Sequence, residues 1–393
     1  MFRKLTVVML TLCLFLPSGV YATEEEEDTS LEQALIDAGK ISVTITNEDG
    51  ETVSEEMMEP VDKTLPRYEL DGSIELKMTF GGDFTIGNNV QSSGKSIFEK
   101  ELDRQGGDPN FIFRNVTELL ANDDLTILNF EGTLTNAPRN RRRADYRFLF
   151  RADPSYASVL TDNSVEFVTL ENNHVLDMGE EGYAETKQVL TNAGVGYACE
   201  TEPALFALYG VQVGILAYQT FDGAYDRLFG QVPEDIATMR AKGADLVICA
   251  FHWGSELDYY PNNNQQRLAK TAVDGGADLV VGHHSHRINP IEMYNGKYIV
   301  YSLSNFAFAG NNKPSDMSTF IFQIKFNIKD GAVTTPDGFI IIPARISSNT
   351  SYNDFAITPY TKYENIESVV TVLKKNGERL ENPVAEYPLS WER

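Results

Sequence analysis

The five histidines of this chain fall in four short patches, Asn172-Asn173-His174, His252-Trp253, His283-His284 and Ser285-His286, with none elsewhere. Imidazole ligates metals and titrates near neutrality, so it is the side chain most often used for general acid and base work. Two carboxylates stand in comparable surroundings, Asp83 behind Gly81-Gly82 and Glu131 behind Asn129-Phe130. Carboxylate, imidazole and amide together suit a borderline divalent ion such as manganese, zinc or iron, and two such ions can share a carboxylate bridge. Taken singly, Asp83 reads equally as a turn cap, Glu131 as a solvated acid and His252 as a hydrogen-bonded core histidine. The His284-Ser285-His286 spacing places two imidazoles close together, and the groups taken jointly favour a metal site.

These residues need rigid elements to bring them together, and the apolar patterning supplies candidates. Strands are expected at Ile74 to Phe80, Leu125 to Leu128, Val165 to Leu170, Leu246 to Phe251 and Leu279 to Gly282, each running into one of the polar patches. Amphipathic helices are expected between them, at Phe111 to Ala121, Tyr156 to Leu160, Gly182 to Ala193, Ile236 to Lys242 and Gln265 to Asp274. Such alternation indicates an α/β sheet, whose ligands gather at the carboxyl ends of the strands. Asp83, Glu131, Asn173 with His174, His252, and His284 with His286 all occupy such ends. A hairpin is expected about Tyr209-Gly210. Beyond residue 290 the pattern changes: Asn295-Gly296 predicts a second hairpin, and Phe320 to Ile328 and Phe339 to Ile346 continue as strands without helices. A second, more antiparallel sheet packed on the first follows, with a helix at Glu364 to Asn376 outside the core pattern.

Composition bounds the function. The formal charge is −24 over 393 residues, and residues 23–73 hold sixteen acids against three bases. That excludes nucleic-acid binding through a basic field. Arg3 and Lys4, the apolar run Leu5 to Leu16 and Val20-Tyr21-Ala22 form a leader pattern, with cleavage expected after Ala22. An uncleaved anchor is the alternative, although the run is shorter than the ~20 residues a span needs. Either way the body is expected outside the cytoplasm, secreted or at the cell surface. The expected organisation is a signal peptide (1–22), an acidic spacer (23–73), a folded domain (74–346) and a C-terminal extension (347–393). Cys199 and Cys249 are expected to be unpaired. Arg139, Arg141, Arg142, Arg143, Arg147 and Arg151 concentrate positive charge after Glu131. Their guanidinium forks match carboxylates and phosphates, while a basic loop neutralised by neighbouring acids is the plainer reading.

Gly82-Asp83, Asn129-Phe130-Glu131, Asn172 to Gly179, His252-Trp253-Gly254-Ser255-Glu256, Gly282 to His286 and Tyr301-Ser302-Leu303-Ser304-Asn305-Phe306 follow, in order, the motifs of the CapA family of poly-gamma-glutamate capsule biosynthesis proteins. The resemblance spans about residues 76–310. It implies kinship with calcineurin-like metallophosphoesterases, and so a four-layer α-β-β-α sandwich with two packed mixed β-sheets. It further implies that Asp83 ligates one metal, Glu131 bridges two, Asn173 and His252 ligate the second, and His284 and His286 supply the remaining imidazoles. His174 becomes the catalytic acid. Among the arginines, Arg147 and Arg151 lie in a segment resembling the family, and with Arg143 and Asn305 they are the expected substrate-binding residues. Three positions depart from the related patterns. Thr85 stands where the metallophosphoesterases place a histidine, Glu131 replaces their bridging aspartate, and Ser304 stands where CapA sequences usually have glycine.

Three functions fit these readings. The first is an extracytoplasmic factor in synthesis or export of an anionic surface polymer, poly-gamma-glutamate by resemblance, working with membrane-embedded polymer-synthesis subunits. The second is a secreted metal-dependent phosphomonoesterase or phosphodiesterase acting on a phosphorylated small molecule. The third is a non-catalytic scaffold that binds polymer.

Overall fold

The structure, a computed structural model, describes residues 44–46, 52–55, 63, 65–90, 94–138, 148–221 and 223–391. The expected leader, Arg143 and Arg147 lie outside them. Contacts divide the chain into two units, Met1–Ile74 with Ala207–Gly210, and Glu75–Phe206 with Val211–Arg393. In the smaller unit Thr44–Thr46 pairs antiparallel with Thr52–Glu55, and the Arg67 guanidinium lies 4.1 Å over the Tyr209 ring.

The sheets are built from strands β1 (Ile74–Thr85), β2 (Leu125–Phe130), β3 (Phe150–Ala152), β4 (Phe167–Thr169), β5 (Gly196–Ala198), β6 (Ala204–Leu208), β7 (Val211–Gln219), β8 (Leu246–His252), β9 (Leu279–His283), β10 (Ile291–Tyr294), β11 (Lys297–Val300), β12 (Asn305–Phe308), β13 (Ser318–Lys329), β14 (Phe339–Arg345) and β15 (Thr358–Pro359). Among the described residues one large sheet runs β15-β14-β13-β1-β2-β4-β5, with β12 also paired to β1. A second runs β6-β7-β8-β9-β11-β10, and β3 lies in a small sheet with Asn88–Asn89 and Thr133–Leu134. The first two are mixed. β1, β2, β4 and β5 are parallel neighbours, as are β7, β8, β9 and β11, while β13-β14-β15 and the β10–β11 hairpin are antiparallel. Asn295 and Gly296 both take positive φ at that hairpin, 47° and 75°, as a tight primed turn requires.

Parallel strands buried on both faces read as continuous apolar runs, and β8 is buried at every residue. On its outer face Val247, Cys249 and Phe251 pack with Leu228, Val232 and Ile236 of helix α3 (Tyr225–Ala241) and Leu268 and Ala272 of helix α4 (Asn263–Asp274). The first sheet turns Leu128, Phe130 and Val168 toward Phe98 of helix α1 (Ile97–Arg104) and Leu190 of helix α2 (Gly179–Ala193). The opposite faces meet each other; Tyr298 of β11 sets its ring 5.0 Å from that of Phe339 in β14. The result is the expected α/β architecture in four layers, helix, sheet, sheet, helix. Phe251 and Trp253 stack 4.7 Å apart beneath the site, and burying an aromatic ring of this kind contributes roughly 1.5–3 kcal/mol. Cys199 and Cys249 are buried and free.

Four elements differ from the sequence reading for physical reasons. A continuous helix over 111–121 would point the consecutive Phe111, Ile112 and Phe113 to different faces, yet all three are buried. The chain instead makes a 3-10 turn, Pro109–Ile112, capped by Asp108, and a short helix Thr117–Leu120. Helix α3 starts eleven residues before Ile236 and carries Pro233 inside it. Gly275 at the end of α4 leaves room for that ring, since a Cβ there would lie 3.1 Å from the Pro233 Cα. Helix α1 is announced by a reciprocal Ser96–Glu99 capping box that hydrophobic periodicity alone does not register. Helix α5 (Tyr363–Gly377) buries Val369, Val370 and Leu373, and Ile341 N–H donates to the Pro388 carbonyl oxygen, so the C-terminal segment packs within the larger unit.

Gly282 is closely packed under the site: a Cβ there would fall 2.1 Å from the Tyr301 carbonyl oxygen and 2.4 Å from Trp253 Nε1. Gly282→Ala is expected to cost about 3 kcal/mol or more in urea melts. Gly194→Ala, at φ 77° in open space, should cost about 1 kcal/mol. Equal losses would contradict this packing.

Candidate metal centre

The C-terminal ends of β1, β2, β4, β8 and β9 deliver the polar groups to one place. Asp83 is fully buried. Its Oδ1 accepts from Asn129 Nδ2 at 2.8 Å, its Oδ2 accepts from the His284 backbone N–H at 3.1 Å, and His286 Nδ1 stands 3.1 Å from the same oxygen. Burial pushes this carboxyl up, but the His286 hydrogen bond and the surrounding imidazoles outweigh it and hold Asp83 well below the usual range. Gly82 allows the approach, because a Cβ there would lie 2.0 Å from the Ser304 carbonyl oxygen.

A second group converges around His252. Asn129 Nδ2 lies 3.2 Å from His252 Nδ1. The other nitrogen, Nε2, stands 2.8 Å from Asn173 Oδ1 and 3.0 Å from His284 Nδ1. Burial pushes His252 far below its ordinary value; burial, then the charge of His286, brings His284 down to about 4. Both rings are therefore neutral at pH 7, the state in which imidazole ligates a metal.

Glu131 lies between the two groups. It is fully buried, and neither carboxylate oxygen has a hydrogen-bond partner among the described residues. His174 Nε2 and His252 Nε2 stand 3.7 Å and 3.8 Å from its Oε1. Burial, then repulsion from Asp83, raises this carboxyl to about 7. His286 moves the other way from a buried imidazole's tendency: burial lowers it, but Glu131 and Asp83 raise it to about 9. Ligand atoms of Asp83, Glu131 and His286 all lie within 4.8 Å of one another. An orphaned carboxylate flanked by neutral imidazoles and an amide oxygen fits a divalent cation.

His174 faces the same space with one nitrogen and is held by the other. Its Nδ1 lies 2.8 Å from Asp177 Oδ2, which also accepts the Phe150 N–H at 2.6 Å. Burial lowers His174, but the Asp177 hydrogen bond and Glu131 raise it above its ordinary value. Aromatic rings wall the site: Phe221 lies 4.7 Å from the His284 ring, Phe308 4.9 Å from His286 and Phe150 4.7 Å from His174. The turn that aims the last imidazoles holds His284 at φ 90° and His286 at φ 52°. The Leu257 N–H bond to the Ser285 carbonyl oxygen (2.7 Å) and the Ser285–Ser302 hydroxyl contact (3.0 Å) fix it there.

Asp83, Glu131, Asn173, His174, His252, His284 and His286 are thus brought together. Asn305 joins them, with Oδ1 2.8 Å from His286 Nδ1. Arg151 sits on β3 beside Phe150, and its guanidinium donates to the Ala137 carbonyl oxygen at 2.9 Å. His283 is a buried neighbour, its Nδ1 3.7 Å from Asp83 Oδ1. Asn129, Asp177, Phe221 and Phe308 also belong to the site, although the expectations from sequence assign them no role. Asn129 and Asp177 lie within the polar patches themselves, so their spacing from Glu131 and His174 was a usable signal; the two phenylalanines carry none.

Residues 77–310 match the family described as bacterial capsule synthesis protein PGA_cap. The chain is 30% identical over 320 residues to the PGA biosynthesis protein CapA of Bacillus subtilis (strain 168), covering 76% of this chain and 81% of that one. It is 29% identical over 301 residues to the capsule biosynthesis protein CapA of Bacillus anthracis, covering 70% and 69%. Among solved structures it is similar to the sulfate thiohydrolase SoxB of Thermus thermophilus, at 13% identity and a TM-score of 0.36, covering 77% of this chain and 60% of that one.

A carboxyl whose folded-state value lies above its unfolded one costs stability that grows as pH rises from the unfolded value toward the folded one and is complete above it. For Glu131 that window runs from 4.5 to about 7. Glu131→Gln should therefore stabilise the metal-free protein by a few kcal/mol at pH 8, with little gain at pH 4.5, by thermal melts in chelator. An equal gain at both pH values would contradict this assignment.

Proposed function

The chain belongs to the family of bacterial capsule synthesis proteins, and we propose that it acts outside the cytoplasm in the synthesis or export of poly-gamma-glutamate, through a strand-end site that holds divalent metal ions. Glu131 carries the reading. A fully buried carboxylate without a hydrogen-bond partner among the described residues is costly unless cations offset it, and the groups facing it are ligand types. Asn173, His252 and His284 would hold one ion, Asp83 and His286 the other, with Glu131 shared. Ions of the manganese, zinc or iron type would supply positive charge for a substrate carboxylate or phosphate and lower the pKa of water.

The chain's own residues account for the rest. Asp177 holds the Nδ1 of His174, so Nε2 is the nitrogen that can hold or release a proton toward a reacting oxygen. Arg151, with Arg143 and Arg147 close to it in sequence, offers guanidinium forks for anionic groups of the polymer. The leader pattern in residues 3–22 supports a secreted or cell-surface location, where the protein would meet membrane-embedded polymer-synthesis subunits. The oriented His174–Asp177 pair also supports a second reading, hydrolysis of a phosphate ester at the same site.

In the source organism, Glu131→Gln combined with His252→Ala should reduce surface poly-gamma-glutamate to the level of a deletion strain; parental amounts would overturn the polymer role of the site. Hydrolysis makes a separate forecast for the purified protein. It should cleave an aryl phosphate ester with added divalent metal, and His174→Ala should lower kcat by about 100-fold or more, while His284→Ala abolishes the reaction. Rates unchanged in both variants would exclude this site as the source.

A further inference from the structure

We propose that the two ion positions differ in chemistry, the position at Asp83 and His286 being an oxygen-rich one completed by the amide oxygen of Asn305. The inference rests on the metal-site reading above and goes beyond it by naming a ligand and a metal preference for each position. No imidazole stands two residues beyond Asp83. That place on β1 is taken by Thr85, which is buried and whose hydroxyl has no hydrogen-bond partner among the described residues. The neighbouring strand brings another donor: β12 runs parallel to β1 with Asn305 paired to Asp83.

The placement of Asn305 is built by close packing. Gly82 lets β12 come against β1, since a Cβ there would meet the Ser304 carbonyl oxygen at 2.0 Å, and Ser304 turns the chain at φ 65°. Asn305 is itself buried. Its Oδ1 lies 2.8 Å from His286 Nδ1, which lies 3.1 Å from Asp83 Oδ2. Neighbouring ligands at right angles around an ion with bonds of ~2.1 Å stand about 3 Å apart, so each of these two adjacent pairs has the spacing of neighbours in a coordination sphere. With Glu131, the position has three oxygen donors and one nitrogen.

The other position is different. Asn173 Oδ1, His252 Nε2 and His284 Nδ1 stand 2.8 and 3.0 Å apart in succession, giving two nitrogens and two oxygens with Glu131. Carboxylate and carbonyl oxygens suit manganese and magnesium, and imidazole suits zinc. The Asn305 position is therefore a Mn²⁺ site and the His252–His284 position a Zn²⁺ site.

The test is titration of the purified, metal-stripped protein with Zn²⁺ and Mn²⁺ by calorimetry, with electron paramagnetic resonance of bound Mn²⁺. The parent should take one Zn²⁺ and one Mn²⁺. Asn305→Ala should weaken Mn²⁺ at least tenfold and spare Zn²⁺, His284→Ala should do the reverse, and Asn305→Asp should retain Mn²⁺. Asn305→His should turn the preference of its position from Mn²⁺ toward Zn²⁺; an amide that merely orients His286 would change affinity without changing preference. Unchanged Mn²⁺ binding in Asn305→Ala, equal weakening of both ions, or an unchanged preference in Asn305→His overturns this inference and leaves the metal-site reading standing. A parent that binds neither ion overturns both.

Discussion

Two carboxylates, Asp83 and Glu131, are sealed from water between the ends of two β-sheets, and the arrangement around them follows from that constraint. Buried like charges repel and lose their hydration, so one must be neutralised or both must be paired. Asp83 is paired within the chain, by the Asn129 amide, the His284 N–H and His286. Glu131 has no hydrogen-bond partner among the described residues, and burial with repulsion from Asp83 raises its carboxyl to about 7. Replacing its proton by a divalent ion removes the conflict, which is the physical case for metal at this site.

The fold makes such an arrangement affordable in geometric terms. Parallel strands expose their C-terminal ends together, and each contributes one or two groups whose backbone the sheet has already fixed. Helices α3 and α4 behind β8 and β9, with Trp253 and Tyr301 packed beneath, keep His252 and His283 from relaxing outward. The positive φ angles at His284, His286 and Ser304 are local strain held in place by that surrounding packing. Ser304 stands where the chain needs a left-handed turn, the conformation that favours glycine.

The site was more legible in the sequence than the elements around it. The strands that carry Asp83 and His252 or lead into Glu131 and His284 showed themselves because each contains an apolar run stopped abruptly by a polar patch. Boundaries were harder where local chemistry overrides periodicity: Pro233 hides the first half of α3, and the apolar residues spread over 111–121 read as one helix although Phe111 and Ile112 lie in a 3-10 turn. Asn129 was visible as a residue but not as a connector, since its hydrogen bonds to Asp83 and its contact with His252 span 46 and 123 positions. Phe221 and Phe308 wall the site through ring contacts that no spacing foretells.

The central claim is that Glu131 sits between positions for divalent cations. Anomalous diffraction from crystals grown with zinc or manganese, collected on either side of the metal's absorption edge, tests it most directly. The account predicts an edge-dependent peak bounded by Glu131, Asn173, His252 and His284. Fully ordered side chains at these four residues with no anomalous density between them, in crystals that contain the metal, would contradict it.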